Sequence, residues 1–427
     1  MACSILLSFV GHQDPYSEKT NQEGSIVSLA KFLVQQQRIK RVILLYTEDF
    51  QQRAIDTKDW LHSELQIPDE TIHLEAVSPD LSADPINPAL AVQEAKRALE
   101  LAKYQQDSTD WLDLNSSSGT PVMKAAWGIL QAIETRPRLR LWQVRNPEEI
   151  RPGQERVFAV DLNIFRQELD RQVIQQQLDS YNYQGAEISL CNSSIEAPLA
   201  LALIRYGKYR LARNYDQAFN AINPYCTEID KQWFQEIAQL RQNNRSALFR
   251  DIYFQVVGLF GVGRYAEALI LAMSLYENLL QYFVQEKVGL DVTTDARDRD
   301  QSLNLLQHHD QGRLWQYLRN YQRKNGDRLF LDSVTRDLLL AVLQYAPQTS
   351  ALAACFEQIE AYYQQRNDVL HQLAGLANIE NLQEQVLNAL EKVLSQVLPQ
   401  EKLQCNPFKH LNHLIDCELE KALKRLN

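Results

Sequence analysis

No two of the six cysteines in this chain, Cys3, Cys191, Cys226, Cys355, Cys405 and Cys417, form a C-x-x-C pair, so neither a structural zinc site nor a dense disulfide framework is indicated. They read as reduced thiols. No apolar run reaches membrane-spanning length, and Met1–Val10 is short and lacks the basic start of a signal peptide, so a cytoplasmic location without membrane partners is expected. Basic excess is missing too. The net charge of −10 argues against a surface coated for nonspecific nucleic-acid binding and leaves room only for a local basic cleft. Neither G-x-x-x-x-G-K-[ST] nor a dinucleotide G-x-G-x-x-G occurs, which disfavours the usual ATPase and NAD readings.

What the chain does contain, within 427 residues of which 45% are hydrophobic, is enough apolar content for two sizeable cores. Up to about Val144, short β-rich runs alternate with amphipathic helical runs, the pattern of a parallel sheet covered on both faces. The strand candidates are Ser4–Val10, Arg41–Thr47, Thr71–Val77, Trp111–Asn115 and Leu139–Val144. Helical candidates lie at Gly24–Gln37, Phe50–Leu65, Ala89–Leu101 and Val122–Ile133. Residues 1–150 are therefore expected to form a Rossmann-like α/β domain. Residues 151–187 read as a connector, with a strand at Val157–Leu162 and a helix at Phe165–Leu178 suited to linking domains or forming a dimer seam. Residues 188–427 show a period near 3.6 and are expected to be all-helical. There Gly207-Lys208-Tyr209 and Gly263-Arg264-Tyr265 each punctuate two helical runs and suggest similar helix-turn-helix units.

Two stretches carry chemistry. The first, Asn115-Ser116-Ser117-Ser118-Gly119-Thr120-Pro121, joins the apolar run Trp111–Leu114 to a helix beginning near Val122. Consecutive Ser, Gly and Thr leave backbone N–H groups unobstructed, and the helix dipole adds positive character, so the stretch suits an anionic ligand at a strand end. Read by itself it is equally a polar turn capping the following helix. Polar groups after the other strands, Gly11-His12-Gln13-Asp14-Pro15, Thr47-Glu48-Asp49 and Ser78-Pro79-Asp80, would line the same sheet edge.

The second stretch is Arg366-Asn367-Asp368-Val369-Leu370-His371, the chain's only R-x-x-x-x-H. On a helix Asn367 and His371 share a face, while Arg366 sits about 140° around from His371, so one helix makes an incomplete site. Two such helices about a two-fold axis could surround one phosphate with two Arg and two His. The alternative is that Arg366 pairs with Asp368 or Glu360 and His371 simply packs. Arg313, Arg319, Arg323, Lys324 and Arg328, interleaved with Trp315, Tyr317 and Tyr321, read either as an RNA track or as a solvated helix face over a buried aromatic stripe. The acidic run Asp291, Asp295, Asp298 and Asp300 alternates with Arg297 and Arg299 and reads as a solvated loop, and His410 and His413 read as surface residues.

Together, a Rossmann-like half with this Asn-Ser-Ser-Ser-Gly-Thr-Pro loop and a helical half with R-N-x-x-x-H resemble the CARF–HEPN ribonucleases that accompany type III CRISPR systems. The resemblance implies an N-terminal CARF domain that binds cyclic oligoadenylate across a homodimer, with the four-membered ring favoured over the six-membered one. It implies a C-terminal HEPN domain that cuts single-stranded RNA without a metal, and no stable complex with the CRISPR effector is required. Asn115, Ser116, Ser117, Ser118, Gly119 and Thr120 match the ligand loop, with Pro121 and Lys124 beside it. Gly11, His12 and Asp14 match by position after the first strand. Arg366, Asn367 and His371 match the nuclease motif, implying charge stabilisation by Arg366, backbone holding by Asn367 and acid–base work or phosphate orientation by His371. The RNA's own 2′-hydroxyl would be the nucleophile, leaving 2′,3′-cyclic phosphate ends. Two further readings stay open: a noncatalytic nucleotide sensor, and an enzyme degrading cyclic oligoadenylate at the Ser-Gly-Thr loop, with Ser117, Thr120 and Lys124 as participants.

Overall fold

The structure is a computed structural model that describes residues 3–17, 21–104, 106–134, 138–323, 326–347, 349–360 and 379–424. The chain packs as two compact units, Met1–Asp170 and Arg171–Asn427. Six strands form the sheet of the first unit: β1 (Ser4–Phe9), β2 (Ile39–Tyr46), β3 (Ile72–Ala76), β4 (Trp111–Asn115), β5 (Leu139–Val144) and β6 (Val157–Val160). Their order is β3-β2-β1-β4-β5-β6. The first five are mutually parallel, and β6 runs antiparallel to β5. That last strand, assigned to the connector on sequence, thus completes the sheet instead.

Every residue of β1 is buried, as befits the central strand of a parallel sheet. Its side chains divide by the strand period of two. Ile5, Leu7 and Phe9 join one apolar cluster, whereas Leu6 joins another on the opposite face. The cluster holding Leu6 is filled by α1 (Ser25–Gln36) and α2 (Gln51–Leu65) through Ile26, Leu29, Leu33 and Leu61. The cluster on the other face is filled by α4 (Pro88–Lys103) and α5 (Pro121–Ile133) through Ala95, Leu99, Trp127 and Leu130. Between these pairs lies α3 (Pro79–Ala83), a short helix capped by the Ser78 hydroxyl where the sequence suggested only a polar loop. Because the chain runs from β1 outward to β2 and β3, then returns to β4 on the other side of β1, the strand order reverses between β1 and β4. At such a switch point the loops diverge and leave a crevice.

The helix α6 (Asn163–Asp179) leads out of the first unit. In the second unit, three turns share one geometry. Tyr181, Arg213 and Asn243 have φ of 54°, 57° and 54°. Asn182, Asn214 and Asn244 follow, and each side chain caps the next helix by accepting from the N–H of Gly185, Gln217 or Ala247. Each Asn N–H in turn donates to a carbonyl five residues back, at 2.8 to 3.0 Å. Gly263-Arg264 repeats the backbone pattern with φ 78° and Arg264 N–H donating to Leu259 at 2.9 Å. The partner of Gly263-Arg264-Tyr265 is therefore Arg213-Asn214-Tyr215. Gly207-Lys208-Tyr209 lies inside the helix Pro198–Leu211, where a Cβ on Gly207 would approach the Tyr183 ring to 2.5 Å. Gly207 marks close packing, and the turn echo suggested by sequence is displaced by six residues.

Among the described residues, the second unit's core draws on side chains between Ile174 and Ala422 and encloses the ion pair of Arg210 Nε with Asp251 Oδ1 at 2.7 Å. Tyr206 Oη accepts a further bond from Arg210, and Gln255 donates to Asp251 Oδ2 at 2.9 Å. Burial and the neighbouring negative charge of Glu236 and Asp251 push the Tyr206 phenol up to about 12, so it remains a neutral partner. Asp251→Ala would leave the buried Arg210 guanidinium with only the more distant Glu236, at 3.5 Å, as counter-ion. A loss of about 3–5 kcal/mol is expected for breaking such a pair, measured as a lower urea midpoint with the first unit's transition unchanged.

Candidate functional site

A cavity of about 430 Å³ opens at the switch point between β1 and β4. Of the residues singled out on sequence, Gly11, His12, Asp14, Ser117, Ser118, Gly119, Thr120, Pro121 and Lys124 line it. Asn115 and Ser116 do not. They hold the loop from behind: Asn115 Nδ2 donates to Ser8 Oγ at 3.0 Å and Ser25 Oγ at 3.2 Å, its Oδ1 accepts from the Ser117 N–H, and Ser116 Oγ donates to the Trp142 carbonyl. Ser117 Oγ also accepts from the Val144 N–H, tying the loop to the end of β5.

Thr120 is the N-cap of α5, with Pro121 at the first helical position, a combination that starts a helix sharply. Its hydroxyl accepts from the Met123 N–H at 3.4 Å and donates to the Pro85 carbonyl at 2.8 Å. Thus the polar-turn reading and the ligand-loop reading are compatible, since one loop both caps α5 and borders the cavity. Gly119 has φ 91°, and a Cβ there would stand 3.1 Å from Met123 and Phe9. Gly11 is equally constrained, because a Cβ would lie 2.7 Å from the Gly119 nitrogen. The two glycines let the β1 and β4 loops touch backbone to side.

Asp14 joins those loops. Its buried carboxylate accepts from the Gly11 N–H at 3.1 Å, from the Ile26 N–H at 3.2 Å and from the Ser118 hydroxyl. Burial raises its pKa, and the Ser118, Gly11 and Ile26 hydrogen bonds and the Lys124 charge only partly offset this. A carboxyl held toward its neutral form does not repel an anion as a free carboxylate would. Lys124 borders the cavity and, among the described residues, has no carboxylate within ion-pair distance. The N-termini of α1, at Ser25, and of α5, at Thr120, both reach the cavity and add positive character. His12 packs edge-on against Phe50 with ring centroids 4.6 Å apart.

Sequence reasoning missed Phe50, Ser25, Ser82 and Pro85, which also line the cavity beside the expected Thr47 and Asp49. Ser25 had a signal in Gly24: a Cβ at Gly24 would meet the Gln13 carbonyl at 2.2 Å, so α1 starts against the β1 loop. Arg366, Asn367 and His371 lie outside the described residues. Of the basic-aromatic stretch, Arg323 is paired with Asp337 at 2.8 Å, Arg313 lies 3.8 Å from Asp310, and Leu314 and Leu318 are buried, while Lys324 lies outside the described residues. His410 packs on Trp233 at 5.2 Å, and His413 lies 3.7 Å from Cys417 Sγ. Asp295 is held by Arg297 at 2.5 Å. No helix among the described residues is long and apolar enough to cross a membrane, and no cluster of three metal-ligating side chains occurs among them.

A Rossmann-like sheet unit followed by a helical unit is the fold that the sequence resemblance implied, and at the level of fold that resemblance holds. Among solved structures similar to this chain is Enterococcus italicus Csm6 bound to cyclic hexa-2′-fluoro-hexa-dAMP. It matches with a TM-score of 0.67 over 98% of this chain and 100% of that one, at 17% sequence identity. At that identity the likeness is one of fold. No protein-family model and no curated protein sequence matches the chain.

The raised pKa of Asp14 has a defined consequence for stability. The unfolded carboxyl ionises at the usual aspartate value while the folded one resists, so wild-type loses stability as pH rises from that value through the raised folded value, and the loss is complete above it. Asp14→Asn lacks this loss. Urea midpoints measured from pH 3.5 upward should therefore fall in wild-type relative to Asp14→Asn across that window; parallel curves would show that Asp14 ionises normally.

Proposed function

We propose that the chain is a cyclic oligoadenylate-activated endoribonuclease that works as a homodimer. The observation carrying this reading is the switch-point cavity, where Lys124 and two helix N-termini converge on one anion-suited space beside Asp14, whose pKa burial raises. The Csm6 fold likeness supports the ligand class, since that protein is bound to a cyclic hexanucleotide analogue. Phosphates of the ring are held at the loop Ser118 to Thr120, which lines the cavity. The panel of ligands that tests this includes the six-membered ring beside the expected four-membered one.

A ring with rotational symmetry is best held by two symmetric loops, and a half-site on each chain favours a two-fold dimer. Support comes from α6, where Phe165, Leu169 and Val173 recur every fourth residue at 62%, 55% and 46% exposure. A stripe of that spacing is the seam a second copy of the same helix would cover. Leu169→Arg is expected to convert the dimer to a monomer by light scattering and to abolish ring-stimulated cleavage.

Cleavage itself is assigned to Arg366, Asn367 and His371, with the RNA 2′-hydroxyl attacking the adjacent phosphate and leaving 2′,3′-cyclic phosphate and 5′-hydroxyl ends. Arg366 stabilises the added charge, Asn367 holds the scissile backbone and His371 assists proton transfer or orients the phosphate. EDTA should leave the rate intact. Ligand binding acts on the nuclease only if it favours one dimer arrangement over another, so the two sites separate by mutation. With purified protein, a labelled single-stranded RNA and the ring panel, Gly119→Val should abolish ring binding and stimulated cleavage while sparing basal cleavage. His371→Ala should abolish both basal and stimulated cleavage while sparing ring binding. Cleavage surviving in His371→Ala would move the chemistry elsewhere and favour the sensor or ring-degrading readings.

A further inference from the structure

A second cavity, of about 660 Å³, lies within the helical unit and includes none of the residues assigned above. Its volume is in the range of roughly 300–1,000 Å³ typical of ligand clefts. It is built on the repeated turns: Arg213 and Asn243 occupy the left-handed position of two of them, and Arg245 opens the helix Arg245–Gly261 after the second. The helix Tyr265–Val288 contributes Asn278 and Gln281 to the lining, and Asp291 lines it as well.

Its two arginines stand outside ion pairs. Among the described residues, neither Arg213 nor Arg245 has a carboxylate within ion-pair distance, although other exposed arginines of this unit, such as Arg241 and Arg264, do. Arg245 instead donates to the neutral Gln285 Oε1 at 2.5 Å and lies 6.0 Å from the Tyr282 ring, which orients the guanidinium without cancelling its charge. The amides face a different chemistry. Asn278 donates to the Ser274 carbonyl at 2.8 Å and Gln281 to Thr294 Oγ1 at 3.1 Å, so one N–H of each amide is engaged while the amide oxygens have no partner among the described residues. With Asp291 they form a set of acceptors beside the two cations. Half-buried Tyr215 lines the same space, and its buried hydroxyl has no hydrogen-bond partner.

Cations for phosphates and acceptors for exocyclic amines, with a tyrosine in the lining, together match single-stranded RNA. An acidic peptide satisfies only the first, and its carboxylates would face Asp291 and the amide oxygens. We infer that this cavity is an RNA-holding site, separate from the cleavage residues, that retains the substrate strand through Arg213 and Arg245. The inference rests on the ribonuclease reading and adds to it a site that sets affinity and leaves the chemical step alone.

The test uses the full chain saturated with activating ring and a labelled single-stranded RNA. In a His371→Ala background, Arg213→Gln with Arg245→Gln should weaken RNA binding about tenfold and make the slope of log affinity against log salt shallower by about 1.4, the loss of two phosphate contacts. Arg213→Lys with Arg245→Lys keeps the charge and should restore the slope, which a merely structural role for these arginines would not do. With His371 intact, the Gln pair should raise KM with kcat unchanged. If wild-type cuts RNA while the Gln pair leaves affinity, slope and KM unaltered, the holding site is wrong and the ribonuclease reading stands. If wild-type neither binds nor cuts RNA with any ring, both fall together.

Discussion

Asp14 is the constraint on which the ligand cavity depends. One carboxylate takes hydrogen bonds from the backbone of the β1 loop, from the start of α1 and from the Ser118 hydroxyl of the β4 loop. Three segments far apart in sequence are thereby fixed around a space that none of them encloses alone. The cost is a buried ionisable group, and it is reduced in the only way available without a salt bridge, by three donors and by a shift toward the neutral form. The glycines follow from the same demand. Gly11 and Gly119 are small because the two loops touch, and Gly24 is small because α1 begins against the Gln13 carbonyl.

The fold carries this arrangement through the strand order. With β1 central, its inward and outward residues serve two separate cores, and the reversal of direction between β1 and β4 leaves their loops divergent. The cavity is thus placed at the switch point, where the loops diverge. The helical unit answers a different requirement. Its turns repeat a left-handed residue followed by an asparagine cap, and that left-handed position holds Tyr181 packed against the core in one turn and an exposed Arg213 in another.

Much of this was legible in the sequence for physical reasons. Buried parallel strands are continuous apolar runs, so β1, β2, β4 and β5 stood out, and the Ser-Gly-Thr loop announced itself by its small polar residues. The antiparallel direction of β6 was not legible, because pairing direction leaves no mark on four residues. Nor was the separation of Asn115 and Ser116 from the cavity, since side-chain direction within a loop depends on partners such as Ser8, Ser25 and Trp142 that lie far along the chain. The turn repeat was misplaced because Gly207 and Gly263 look alike in sequence but serve different ends, the first making room for the Tyr183 ring and the second adopting a positive φ.

The central claim is that each chain supplies half of a site for a cyclic oligoadenylate at the switch-point cavity. Calorimetric titration of the full chain with the four-membered and six-membered rings tests it most directly, at protein concentrations well above the dissociation constant. The account predicts saturation at one ring per two chains for at least one of them. Saturation at one ring per chain, or no heat with either ring, would contradict it.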